Sequence, residues 1–113
     1  MLAKKNRIGE KRRIEELAKK GHEYRTPHFT FRFLPKSAPP VFAITVSQKI
    51  APRAVDRNQL RRQVAEAIRT NLSFLKKNVG VLVIGRPKIR ELDYAGITRE
   101  ITQFFNQFNS DAK

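Results

Sequence analysis

Between Arg53 and Arg69 the chain reads RAVDRNQLRRQVAEAIR, with Arg57 four positions from Arg61 and Asn58 four from Arg62. On a helix that spacing sets side chains one above the other, so the guanidinium groups form a stripe. Stacked like charges repel, at a cost of about 0.2 to 0.5 kcal/mol per pair. A polyanion laid along the stripe removes the repulsion, so the chemistry these residues suggest is the gripping of phosphates. Ala65 falls in the same arc, where a small side chain lets a sugar-phosphate backbone come close between arginines. The plainer meaning of such a stripe is a solvated cationic face.

The elements that must position these residues follow from periodicity. At about 100° per residue, Leu60, Val64, Ala67 and Ile68 share one apolar arc, which predicts an amphipathic helix with the arginines on a neighbouring arc. Upstream, residues 1–7 form a basic arm with a mobile tip, followed by a helix over about Glu10 to Lys20 whose narrow apolar edge is Ile14, Leu17 and Ala18. Gly21 is placed to end that helix as a C′ glycine, with Lys19 and Lys20 at the negative end of its dipole. From His28 to Leu34 the pattern alternates, setting Phe29, Phe31 and Phe33 on a buried face and His28, Thr30 and Arg32 on the other.

Pro35, Pro39 and Pro40 mark a loop before a strand over Val41 to Ser47, expected to pair antiparallel with the phenylalanine strand. A third strand is expected over Val46 to Ile50. After the arginine helix, VLVIG (Val81 to Gly85) reads as a central strand buried on both faces, reached by a parallel crossover. A last helix over Tyr94 to Phe108 carries Ile97, Ile101, Phe104, Phe105 and Phe108 as core packing. The expected fold is α+β, a small two-layer sandwich in the order αβββαβα, within a single domain over residues 1–113.

Composition narrows the function. Lys plus Arg number 24 against 10 Asp plus Glu, a formal net charge of +14. Solubility of a small domain needs a magnitude of only about 2 to 8, whereas nucleic-acid binders carry an excess of this kind. No apolar run approaches the length of a membrane span and no signal-peptide pattern opens the chain, so a cytoplasmic location is expected, with no membrane partner. Cysteine is absent, which removes disulfides, CxxC metal sites and thiol nucleophiles. His22 and His28 are the only histidines, no carboxylate pair is evident, and neither a nucleophile with a base nor a metal site is expected.

The stretch VFAITVSQKIAPRAVDRNQLRRQVAEAIRTN is similar to the signature of the bacterial ribonuclease P protein family: a strand ending in Ser-x-Lys, a short loop, Ala-Val-x-Arg-Asn, then a basic helix. The basic arm, the first helix ending in Lys-Gly, the phenylalanine strand, the strand closing on Gly85-Arg86 and the last helix also fall in family order, so the resemblance covers most of the chain. It implies a left-handed crossover around the arginine helix, against the right-handed rule for parallel connections. It further implies a protein subunit that joins a catalytic ribonuclease P RNA in removing the 5′ leader from precursor tRNA. Magnesium, held mainly by the RNA and the substrate, then supplies the chemistry, and no small-molecule substrate is involved.

Carried over position by position, Arg57, Asn58, Arg61 and Arg62 match the family's basic motif, with Lys49, Arg53 and Arg69 flanking it, as contacts to RNA. Arginine suits the task because its planar fork bonds two phosphate oxygens while its face stacks on a base. Asn58 has a second possible role, bonding backbone groups of the preceding loop. The family's cleft for the single-stranded leader, between the first helix and the sheet, maps to Ile14, Ala18, Thr30 and Arg32. Here the chain departs from the family, which often has aromatics at such positions, so the cleft is expected to lean on charge from Arg32, with Lys88 or Arg90. Gln59 and Ala65 stand where the family often has basic residues. A generic basic RNA-binding module, such as a ribosome-associated protein, is the alternative reading, and a self-sufficient nuclease is a weaker one.

Overall fold

The computed structural model, which describes residues 2–35 and 39–111, runs from helix α1 (Lys11–Lys20) through strands β1 (His22–Arg25), β2 (Phe29–Pro35) and β3 (Val41–Thr45) to helix α2 (Ala54–Asn71), strand β4 (Val79–Gly85) and helix α3 (Tyr94–Asp111). The order αβββαβα is the expected one, but the strands are not. The third strand is β1, while the segment expected to supply it, Val46 to Ile50, is a turn. There the Ser47 carbonyl accepts the N–H groups of Ile50 and Ala51, both at 3.1 Å, and its hydroxyl accepts the Lys49 N–H at 2.9 Å. A serine that satisfies three backbone donors locally leaves the segment no need of a ladder.

The pairing of β2 with β3 is also corrected. The sheet order is β1-β2-β4-β3, with β4 antiparallel to β2 and parallel to β3. The reason lies in β4, where Val79, Val81 and Val83 are buried on one face and Leu82 on the other. A β2–β3 hairpin would leave this apolar strand at an edge, with unpaired backbone groups facing water. Inserted between them, β4 is paired on both sides and becomes the central strand that its composition requires.

One face of the sheet carries the core. Phe31 stacks on Phe104 of α3 with ring centroids 4.4 Å apart, and Phe33 meets Phe104 and Phe108 edge-on. Ile97, Ile101, Phe104, Phe105 and Phe108 are all buried, so the last aromatic stripe is packing, as expected. From α2, the predicted arc of Leu60, Val64, Ala67 and Ile68 is buried in the same cluster. α1 contacts β2 and β4, with Leu17 only 2% exposed.

Gly21 ends α1, though not in the left-handed conformation of a C′ glycine: its φ and ψ are −66° and 149°. Its smallness matters instead. A Cβ there would lie 2.5 Å from the Leu17 carbonyl oxygen and 3.1 Å from the Phe33 nitrogen. The loop expected from Pro35 starts one residue later, because Pro35 closes β2 opposite Val79; residues 36–38 of the loop, and Met1 at the tip of the basic arm, lie outside the described residues. The rest of the arm is docked. Leu2 is buried in the core cluster, a short 3-10 turn spans Lys4–Asn6, and the Ile8 N–H donates to the Phe42 carbonyl at 3.0 Å.

Candidate nucleic-acid interface

The turn at Ser47 delivers the chain to α2, and the first arginine of the basic motif helps to hold that delivery in place. Arg57 Nη1 donates to the carbonyls of Ala51 at 2.9 Å and Pro52 at 2.8 Å. The loop-bonding role considered for Asn58 therefore belongs to Arg57. Asn58 is exposed, and its side-chain oxygen accepts from Arg61. That bond lies along the helix surface and fixes the direction of one arginine fork. Arg62 is exposed and has no hydrogen-bonding partner among the described residues.

Asn58, Arg61, Arg62 and Ala65 form one wall of a groove of about 440 Å³. Its floor comes from Phe42, Ala43 and Ile44 of β3. Ile14 of α1 and Leu2, Arg7 and Ile8 of the arm close the other side. The result is an apolar trough with a cationic rim. Such a surface takes a planar apolar group against the floor while the rim holds its anionic neighbour, which describes an unstacked nucleotide.

Lys49 and Arg53 are exposed on the approach to α2. Arg69 lies further along and is not bare, because it pairs with Glu66. The hydrogen bond from Arg69 lowers the Glu66 carboxyl from 4.5 to about 2. The opposite flank of α2 is different: Asp56, Gln59 and Gln63 line a smaller polar hollow with Arg90, whose guanidinium is 3.6 Å from Asp56. Arg90 therefore faces the start of α2.

The residues expected on the α1 side of the sheet are only partly brought together. Ile14 lines the groove beside the α2 arginines. Arg32 does not reach it. Its Nη2 donates to the Ala18 carbonyl at 3.0 Å, its Nε approaches the Leu17 carbonyl at 3.5 Å, and its Nη1 pairs with Glu23 at 3.3 Å. A helix end leaves carbonyls without intrahelical partners, and Arg32 fills that need for α1. Ala18 contributes its carbonyl to this bond, and Thr30 is half-buried one rung along β2. The expected charge of this face is thus already engaged.

The sequence reading missed the arm as a wall of the groove. Its basic residues were visible, but the docking partner, the Phe42 carbonyl, has no signature in the sequence. One histidine–carboxylate contact stands out: Glu100 accepts the His28 backbone N–H at 2.9 Å, with the ring Nδ1 2.6 Å from its other oxygen. It ties the start of β2 to α3, away from the groove.

The Ribonuclease P family model matches residues 2–109. The ribonuclease P protein component of Rippkaea orientalis is 31% identical over 106 residues, covering 88% of this chain and 84% of that protein. That of Microcystis aeruginosa is 32% identical over 94 residues, covering 79% and 78%. Among solved structures, the RNase P protein from Thermotoga maritima superposes with a TM-score of 0.78 at 22% identity, covering 89% of this chain and 96% of that one. The Staphylococcus aureus RNase P protein gives 0.77 at 21% identity, covering 90% and 94%. At these identities the superpositions speak to the fold.

Proposed function

This chain belongs to the ribonuclease P protein family, and we propose that it is the protein subunit of a ribonucleoprotein in which a catalytic RNA removes the 5′ leader from precursor tRNA. The observation that carries the proposal is the groove beside α2, where Arg61 and Arg62 rim an apolar floor. In this role the α2 arginines hold the backbone of the RNA subunit or of the single-stranded leader, and the floor beside Ile14 receives an unstacked base. Arg57 and Asn58 act at one remove. The first locks the loop that feeds α2, and the second orients Arg61. Lys49 and Arg53 extend the positive field at the start of the helix. Ala18 and Arg32 serve this reading through the bond between them, which fixes α1 on the sheet and so holds Ile14 in the groove.

Magnesium in this proposal is held by the RNA subunit and the substrate. Among the described residues no three His, Asp or Glu side chains come together in a way that could hold a metal ion. The protein's contribution is binding, orientation and screening of phosphate repulsion. Screening matters because a net charge of +14 brought against two RNAs lets them approach at lower cation concentration. We place this work in the cytoplasm; no helix among the described residues is long and apolar enough to cross a membrane.

The deciding experiment is 5′ cleavage of a precursor tRNA at low magnesium by ribonuclease P RNA, with and without this chain, beside the chain alone. Rescue that depends on the protein, with none from protein alone, is the expected result. Binding without rescue by the cognate RNA would favour a generic RNA-binding module. Cleavage by the protein alone would overturn the division of labour.

A further inference from the structure

The groove has a second wall that the basic motif does not explain. Residues 2–8 reach it by a fixed path. Leu2 is buried in the core, and the N–H groups of Asn6 and Arg7 donate to the carbonyls of Ala3 and Lys4 at 2.9 and 3.2 Å. Asn6 is 5% exposed, and its side-chain amide donates to the Pro40 carbonyl at 2.8 Å. One residue beyond Arg7, the Ile8 N–H donates to Phe42, and Arg7 itself bridges to Phe42 in parallel register. Arg7 is therefore held on both sides, while its side chain is exposed and has no hydrogen-bonding partner among the described residues.

A buried asparagine is costly unless its polar atoms are bonded. An arm that served only to add diffuse charge has no use for one. The bond from Asn6 to Pro40 instead fixes Arg7 on the arm, in the lining of the same groove as Arg61 and Arg62. Cations on both walls of a trough with an apolar floor suit a single strand lying between them, its phosphates gripped from two sides.

We infer that Arg7 is a further RNA-contacting residue, clamping the bound strand from the wall opposite α2, and that Asn6 is the residue that positions it. The inference rests on the ribonucleoprotein reading above.

The test uses the holoenzyme reconstituted from full-length chain and ribonuclease P RNA. Affinity for a precursor tRNA with a single-stranded leader is measured across a salt series for Arg7→Ala, Arg7→Lys, Asn6→Ala, the Asn6→Ala/Arg7→Ala double variant and an Arg62→Ala control. Arg7→Ala is expected to weaken binding several-fold and to make the log–log salt slope shallower by about 1, with an unchanged melting temperature. Arg7→Lys should restore the slope. Asn6→Ala should weaken binding too, and the double variant should be no weaker than Arg7→Ala, because the asparagine acts through the arginine. Wild-type affinity and slope in Arg7→Ala, with Arg62→Ala impaired, overturn the inference and leave the proposed function standing. Additive losses in the double variant overturn the positioning role. If the wild-type chain neither assembles nor rescues cleavage, the function falls and this inference with it. Should Asn6→Ala not fold, the two Arg7 variants decide.

Discussion

The groove beside α2 and the face beneath α1 both carry arginines that look alike in the sequence, yet they do different work. Arg32, beneath α1, bonds helix-end carbonyls and Glu23. Arg61 and Arg62 project from the middle of α2, where the carbonyls are satisfied within the helix, and they find only Asn58. Arg57 and Arg86 belong with Arg32: one bonds the carbonyls of Ala51 and Pro52, the other that of Thr26 at 2.9 Å. What separates the groups is whether unpaired backbone oxygens lie within reach, since a guanidinium beside an orphan carbonyl becomes structural. An arginine on a completed turn stays available for a ligand.

The largest test removes the support common to both regions. Phe104→Ala deletes the ring stacked on Phe31 and should destabilise the fold by about 3 to 5 kcal/mol, measured by urea unfolding. That is a large share of what a small domain has. A loss of under about 1 kcal/mol would mean that the stack is not central to the core.

Next come the arginines beside orphan carbonyls. Arg32→Ala leaves the Ala18 carbonyl without its donor and should cost about 1 to 3 kcal/mol of stability, while the salt slope of RNA binding stays as in wild type. Arg62→Ala should do the opposite: stability within about 0.5 kcal/mol of wild type, and a salt slope shallower by about 1. If Arg32→Ala altered the slope as much as Arg62→Ala, the comparison would break and the α1 face would regain its place as an RNA contact.

This division was only half legible in the sequence. The helices and their buried arcs were, because Leu60, Val64, Ala67 and Ile68, and likewise Ile97 to Phe108, repeat with the helical period. The continuous run in β4 also announced a central strand. β1 did not: His22, Glu23, Tyr24 and Arg25 present one partly apolar side chain, Tyr24, and the strand exists through its register with β2, His22 opposite Phe33 to Arg25 opposite Thr30. Strand order was hidden for a related reason, since the insertion of β4 between β2 and β3 depends on partners distant in the chain. At the site, residue type and helical phase located the α2 arginines. They could not show which arginines meet a carbonyl, because every residue except for its side chain offers the same oxygen.

Arg69 lies between the two classes and gives the smallest effect. It is exposed on α2, yet paired with Glu66, whose carboxyl it holds down at about 2. A folded value below the ordinary 4.5 means that the pair's contribution is present above the ordinary range and is lost as pH falls from about 4.5 to about 2. At neutral pH the Glu66 carboxyl is ionised, and part of the positive field of Arg69 is cancelled. Exposed pairs of this kind exchange partners readily, so an RNA phosphate can displace the carboxylate. Glu66→Gln should therefore lower the melting temperature at neutral pH only slightly and tighten RNA binding slightly, with a steeper salt slope, while Arg69→Ala should lose less affinity than Arg62→Ala. A carboxyl titration by NMR checks the premise: a midpoint for Glu66 near 4.5 would mean that the pair does not form, and Arg69 would then rank with Arg62 as an open arginine of α2.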